Sequence, residues 1–264
     1  MNKRPIGIFD SGLGGLTVMR EVMALLPEEE ILYYGDTARV PYGNKSAETV
    51  VRYALEISDF LVSRDIKLLV IACNTASAHA LSTVQEQLNI PVVGVIKPGA
   101  AQAVAVTKNK RIAVLATRST IQSGAYQSAI LTFCPEAHVY PISCPLFVPL
   151  VEEHFQHHPA AKMIIHEYLA PLGVQDIDTV LLGCTHYPLM RTEIEKEIEN
   201  AIIVDSASTC VRQIKKVLEE QNLLNDKRSS ENQFFVSDDP EKFQKMGNQF
   251  LTRSPYRAQE ITFI

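Results

Sequence analysis

Two cysteines in this sequence end strand-like runs and are followed at once by hydrogen-bonding side chains. Cys73 lies in VIACNTAS (70–77), and Cys184 lies in LLGCTHYPL (181–189), 111 positions later. In both runs the apolar residues before the sulfur read as a buried strand. The residues after it, Asn74 and Thr75 or Thr185 and His186, fall where a helix should begin. A thiol on each face of one carbon suits stereoinversion. One sulfur takes a proton from one face and the other returns a proton to the opposite face. Helix N-termini and nearby donors lower a cysteine pKa, so a thiolate can serve as the base. Its counterpart must start as the protonated thiol, and the roles exchange with the direction of reaction. A single cysteine is often only a small buried hydrophobe, and Cys134, Cys144 and Cys210 are read that way. The matched settings of Cys73 and Cys184 favour chemistry.

The elements that must position these sulfurs alternate along the chain. Strands are expected at 5–10, 30–34, 67–72 and 91–95, with helices at 15–26, 47–63 and 75–88. The helix at 47–63 carries an apolar face at Val50, Ala54, Ile57 and Leu61. This βαβα rhythm implies a mostly parallel sheet covered on both faces. The second half repeats the first: RIAVLAT (111–117) aligns with PIGIFDS (5–11) at an offset of 106, and DTVLLGC (178–184) with KLLVIAC (67–73) at 111. Between them, HVY (138–140) follows LYY (32–34) at 106 to 107, and Val148-Pro149 follows Val40-Pro41 at 108. The expected architecture is therefore α/β, with two similar domains related by pseudo-twofold symmetry and a site in the cleft between them. Lys97, Pro98 and Gly99 mark the crossing. A helix at 209–221, a polar loop at 225–232, a strand at 233–236 and a capped helix from Asp239-Pro240 to Leu251 have no counterpart in the repeat. This tail is expected to return to the first half. The domains are then 1–97 with 207–264, and 98–206.

Ligands of open parallel sheets bind beyond the carboxyl ends of the strands. By that rule the first strand delivers Asp10 and Ser11 into a glycine-rich turn, and the loop after the second carries Asp36, Pro41, Tyr42 and Gly43. The third delivers Cys73, Asn74 and Thr75. The matching ends of the second half deliver Thr117, Glu152, Cys184, Thr185 and His186. Ser11, Asn74, Thr75, Thr117, Thr185 and the backbone at Tyr42-Gly43 are neutral donors suited to carboxylates, and helix N-termini add further N–H groups. Asp10 falls on the Cys73 side, with Glu152 and His186 on the Cys184 side, placed to assist proton transfer or to orient an ammonium group. Each has a plainer reading: Asp36 as a loop cap, Glu152 as an exposed helix residue like Glu153, and Tyr42 as packing.

Composition excludes several alternatives. A net charge of −5 supplies no basic field for nucleic acid or an anionic membrane. No apolar run approaches the ~20 residues that span a bilayer, and the N-terminus enters a strand without a signal-peptide pattern, which points to the cytoplasm. Five cysteines with no C-x-x-C pair argue against a disulfide framework, a zinc ribbon or a thioredoxin-type centre. The histidines show no metal-ligand spacing, and His154, His157 and His158 read as surface. The glycine-rich turn lacks the G-x-G-x-x-G and G-K-[ST] patterns of nucleotide sites.

DSGLGGLTV (10–18), YYGDTARVPYG (33–43), ACNTAS (72–77) and LLGCTHYPL (181–189) resemble the signature stretches of the cofactor-independent aspartate/glutamate racemase family, in its glutamate-acting form. The resemblance extends to the tail, VSDDPEKFQKMGNQFL (236–251). It implies a two-domain α/β enzyme interconverting L- and D-glutamate without pyridoxal phosphate or another cofactor, and it implies a homodimer. Carried over by position, it makes Cys73 and Cys184 the acid/base thiols, with Asp10, Glu152, His186 and Asp36 as helpers. Ser11, Tyr42, Gly43, Asn74, Thr75, Thr185 and His186 are implied to bind substrate. The D-glutamate is implied to feed peptidoglycan synthesis. Lys97 departs from the acidic or amide residue expected there, and no catalytic role is read into it. Family members regulated by a cell-wall precursor resemble longer chains, so that regulation is not expected. Racemisation of aspartate or a hydantoin, or a related decarboxylation, stays open as a sibling activity. Outside enzymes, the rival is an amino-acid-binding protein with inert thiols, which gives no reason for a sulfur on both sides of the site.

Overall fold

Runs rich in Ile, Leu, Val and aromatic residues form most of the ten strands in a computed structural model that describes residues 3–198, 200–228, 230–251 and 257–261. They are β1 (Ile6–Asp10), β2 (Ile31–Gly35), β3 (Leu68–Ile71), β4 (Val92–Gly94), β5 (Arg111–Ala116), β6 (His138–Ser143), β7 (Thr179–Gly183), β8 (Ile202–Asp205), β9 (Gln233–Val236) and β10 (Ala258–Glu260). Six form one sheet in the order β10-β9-β2-β1-β3-β4, and four form a second in the order β6-β5-β7-β8. Every pairing is parallel. The central strands β1, β3 and β7 are buried along their whole length, as helices on both faces require.

The repeat read from the sequence is present as a repeated strand order, with β2-β1-β3-β4 matched by β6-β5-β7-β8. Ile6 pairs with Leu68 and Ile112 with Thr179, so the offsets of 106 and 111 hold at the centre of each sheet. The outer pair differs from the expected alignment. Ile6 faces Ile31 whereas Ile112 faces Val139, which places β6 two residues further along than β2. The strand β6 lies at an open edge with exposed or half-buried residues throughout, and carries too little apolar pattern to fix its register.

The helix Ala47–Val62 buries Val50, Ala54, Ile57 and Leu61 as expected, and Ser46 caps it by accepting the Thr49 N–H. Lys97, Pro98 and Gly99 are helical. They lie in the first turn of the helix Ile96–Val106, which carries the chain from β4 toward the second sheet and packs on β7. Proline is tolerated in a first turn because its missing N–H has no intrahelical partner there. The tail returns as expected: β9 adds to β2, β10 adds to β9, and the helix Ser206–Glu220 packs on the helix Leu16–Leu25. The polar connection expected at 225–232 is not helical or extended over its described residues, and position 229 lies outside them. The last described helix ends at Gly247, four residues before the expected limit. Among the described residues no helix is long and apolar enough to cross a membrane.

Candidate active site

Both cysteines sit where the two sheets present their strand carboxyl ends to each other. Cys73 follows β3 and is the N-cap residue of the helix Asn74–Gln87. Cys184 follows β7, and the chain then turns through Thr185 and His186 into a short 3-10 helix at Tyr187–Met190. One narrow pocket is lined by both thiols and by Ser11, Pro41, Tyr42, Gly43, Asn74, Thr75, Thr117, Thr185 and His186. Val40 and Val148 complete its wall. A larger depression of about 590 Å³ lies between His166, Asp176 and Glu197, beside the start of β7 and so at the opposite end of that strand from Cys184. It holds no thiol, and the position favoured by parallel sheets is the carboxyl end.

The surroundings of the two sulfurs differ. Cys73 Sγ points its S–H toward Ser11 Oγ at 3.7 Å and accepts the Ala76 N–H. Burial and the neighbouring charge of Asp10 nevertheless push this thiol up to about 12, against the pull of those two contacts. The expectation that a helix N-terminus lowers its pKa is therefore corrected, because desolvation outweighs the N-terminal field. Cys184 Sγ lies 4.0 Å from His186 Nδ1, and His186 Nε2 lies 3.0 Å from Glu152 Oε1. Burial works against an imidazolium at His186, but Cys184 and Glu152 outweigh it and hold the group up at about 10. The ring is also held edge-on to Phe250, centroids 5.7 Å apart.

A raised histidine pKa has a defined sign in stability. The contribution is fully present below the ordinary value of 6.5 and is lost as pH climbs through about 10. The native protein should therefore lose thermal stability across that window. Glu152→Gln, which removes one of the two partners, should flatten the loss, and identical melting profiles for the two proteins over this range would refute the pairing.

Asp10 is fully buried beneath the pocket. Its Oδ2 accepts the Gly12 N–H at 3.0 Å, and its Oδ1 accepts from Thr185 Oγ1 at 3.4 Å. Burial raises its pKa against the opposing effect of His186 and these donors. Asp10 thus ties the first strand end to the loop that follows Cys184. Gly14 makes that approach possible, since a Cβ there would lie 2.2 Å from Thr185 Oγ1 and 2.5 Å from His186 Nδ1. Asp36 lies outside the pocket lining. It accepts from Tyr42 Oη and Arg39 Nε on Oδ2 and from Ser237 Oγ on Oδ1, so its contacts position the Tyr42 loop and not a thiol. Glu152 is likewise outside the lining and reaches it through His186.

Thr75 and Thr117 meet from the two halves, with Oγ1 atoms 3.0 Å apart. Thr120 joins them at 3.0 Å from each, closing a triangle of hydroxyls that sequence reading did not include. The spacing of Thr117 and Thr120, three apart at a helix start, was the available signal, for that places both on one side of the first turn. Asn74 is held from the second half by Tyr126 and by Ser206, neither of which carried a sequence signal. Cys134 and Cys210 are buried in the core as expected. Cys144 is buried too, and its carbonyl accepts from Tyr187 Oη. His154, His157 and His158 are exposed. Among the described residues no group of three or more His, Cys, Asp or Glu side chains is arranged to hold a metal ion.

Residues 7–214 match the family model described as Asp/Glu/Hydantoin racemase. A glutamate racemase of Geobacter metallireducens is 52% identical over 94% of this chain and 93% of its own length. Among solved structures, a glutamate racemase isoform from Bacillus anthracis superposes with a TM-score of 0.95 at 37% identity, covering 99% of this chain and 98% of the other. A glutamate racemase from Francisella tularensis, solved in complex with D-glutamate, gives a TM-score of 0.93 at 37% identity over 99% and 98% of the two chains.

Proposed function

This chain belongs to the Asp/Glu/Hydantoin racemase family, and from that premise we propose that it is a glutamate racemase that inverts Cα with two cysteines. The observation that carries the mechanism is the single pocket lined by Cys73 from one half and Cys184 from the other. One thiolate removes the Cα proton, leaving a carbanion stabilised by the adjacent carboxylate, and the opposite thiol gives its proton to the other face. At the end of a turnover the protonation states of the two sulfurs have exchanged, so the product side is ready for the reverse reaction.

The neutral hydroxyl and amide donors of Ser11, Asn74, Thr75, Thr117 and Thr185 suit two carboxylates. The ammonium of an entering amino acid would bring positive charge toward Asp10, whose negative charge is, after burial, the largest cause that raises the Cys73 thiol. Substrate thereby reduces the cost of forming a thiolate there. On the other side, an imidazolium at His186 attracts negative charge to the neighbouring sulfur, and Glu152 keeps that imidazolium oriented. The same reading takes 1–97 with 207–264 and 98–206 as the two bodies that enclose substrate. It further includes a homodimer acting in the cytoplasm, where D-glutamate supplies peptidoglycan synthesis. The glutamate preference over aspartate is supported by relatives of 52% and 46% identity that are glutamate racemases.

The test is incubation of the purified protein, freed of pyridoxal phosphate, with L-glutamate or L-aspartate in D2O. Loss of optical activity together with deuterium at Cα is expected for glutamate. Exchange with aspartate alone would move the chain to the sibling activity, and no exchange with either would refute racemisation.

A further inference from the structure

We propose that Tyr126 is a positioning residue for the racemisation proposed above, its phenol orienting the Asn74 amide and its ring seating the strand end that carries Cys184. Tyr126 belongs to the helix Ala125–Phe133 and is 3% exposed. It does not line the pocket, so any influence on substrate passes through its neighbours.

Its hydroxyl donates to Asn74 Oδ1 at 2.5 Å, and Asn74 Nδ2 donates to Ser206 Oγ at 3.3 Å. An asparagine amide has one carbonyl oxygen and two N–H donors. With the oxygen taken by the phenol and one N–H by the serine, the second N–H is left for the pocket that Asn74 lines. Burial keeps the Tyr126 hydroxyl protonated, well above its ordinary range, so it stays a donor. The amide oxygen is thus satisfied from outside the pocket, without any help from substrate.

The ring of the same residue lies against Gly183, the last residue of β7 before Cys184. A Cβ at Gly183 would come within 2.8 Å of Tyr126 Cε2. Gly99 is also close, since a Cβ there would lie 3.6 Å from the ring. One side chain from the second half therefore touches the residue after Cys73 with its oxygen and the residue before Cys184 with its ring. The glycine is what lets the ring approach that backbone. Tyr126 thus acts as a gauge between the two thiol-bearing corners, and gives Asn74 a fixed donor for a carboxylate.

The test is a double-mutant cycle of Tyr126→Phe and Asn74→Ala, read both as KM and kcat and as the Kd of glutamate by calorimetry. Phenylalanine keeps the ring on Gly183 and removes only the hydroxyl. In the native background it is expected to raise KM and Kd about tenfold while kcat changes less than about threefold, since neither thiol is touched. In the Asn74→Ala background the same substitution should change KM and Kd by no more than about twofold. Equal effects in both backgrounds, or no effect in the native one, would overturn the proposal. If the native protein turned over no glutamate, the racemase reading would fail by itself, and the cycle in Kd would still decide whether Tyr126 acts through Asn74.

Discussion

Alanine at Cys73 or at Cys184 is expected to lower glutamate racemisation by about 10²- to 10⁴-fold, the range of a lost general acid or base. Either substitution alone is enough, because each turnover needs a base on one face and an acid on the other. The two losses should not add: with one sulfur gone the other has no partner, so the double variant should sit within about tenfold of either single one. The fold should survive. The two cysteines are only 5% and 6% exposed, but removing one atom from each site leaves a small void, with a stability cost of roughly 1 kcal/mol. Steady-state kinetics in both directions, paired with thermal melts, checks this. A variant that keeps its native melting profile and more than a tenth of the native rate in either direction would rule out the two-thiol mechanism.

The second large effect lies at the other end of the first sheet. Lys67 directly precedes β3 and is fully buried, with Nζ 2.6 Å from Glu29 Oε2, and it donates to the Leu223 carbonyl at 2.7 Å and to Asn225 Oδ1 at 2.9 Å. Glu29 in turn accepts the Asn225 N–H on Oε1 at 2.9 Å. Replacing Lys67 by Met keeps most of the stem volume but strands a buried carboxylate, which costs on the order of 3–5 kcal/mol. Urea unfolding should show this as a lower midpoint. Adding Glu29→Leu to that variant should recover much of the loss, because the uncompensated charge is then gone. Racemase activity at 25 °C should change little in both, since the pair sits at the amino-terminal ends of the strands. A midpoint shift worth less than about 1 kcal/mol for Lys67→Met would refute the assignment of the pair as a stabilising contact.

Much of the fold was legible in the chain because central strands of a parallel sheet must be apolar on both faces. The segments at β1, β3 and β7 therefore announced themselves, and the thiols that follow β3 and β7 could be paired by offset. The edge strand β6 was not legible to the residue, since half-exposed positions such as Val139 and Ile142 tolerate many side chains. Within the pocket, residues at strand ends were found by rule, whereas Thr120, Tyr126 and Ser206 were missed. They reach the site from helices, across a contact between halves that no local pattern encodes. The electrostatics went wrong for a related reason. A helix N-terminus is visible in sequence, but the enclosure of Cys73 and the carboxylate of Asp10 beside it exist only once the halves meet.

The return of the tail bears on how the protein is made. Thr37 and Asp238, 201 positions apart, are joined by a hydrogen bond next to the β2–β9 pairing. The strands β5 to β8, by contrast, come from one unbroken stretch of chain. At ~5–20 residues per second, ribosomal synthesis leaves the β2 edge without its neighbour for on the order of ten seconds or more. The four-stranded sheet has all its strands available well before β9 emerges. The half encoded first is thus the last to be completed, and its β2 edge stays open to aggregation or to chaperones while the chain grows.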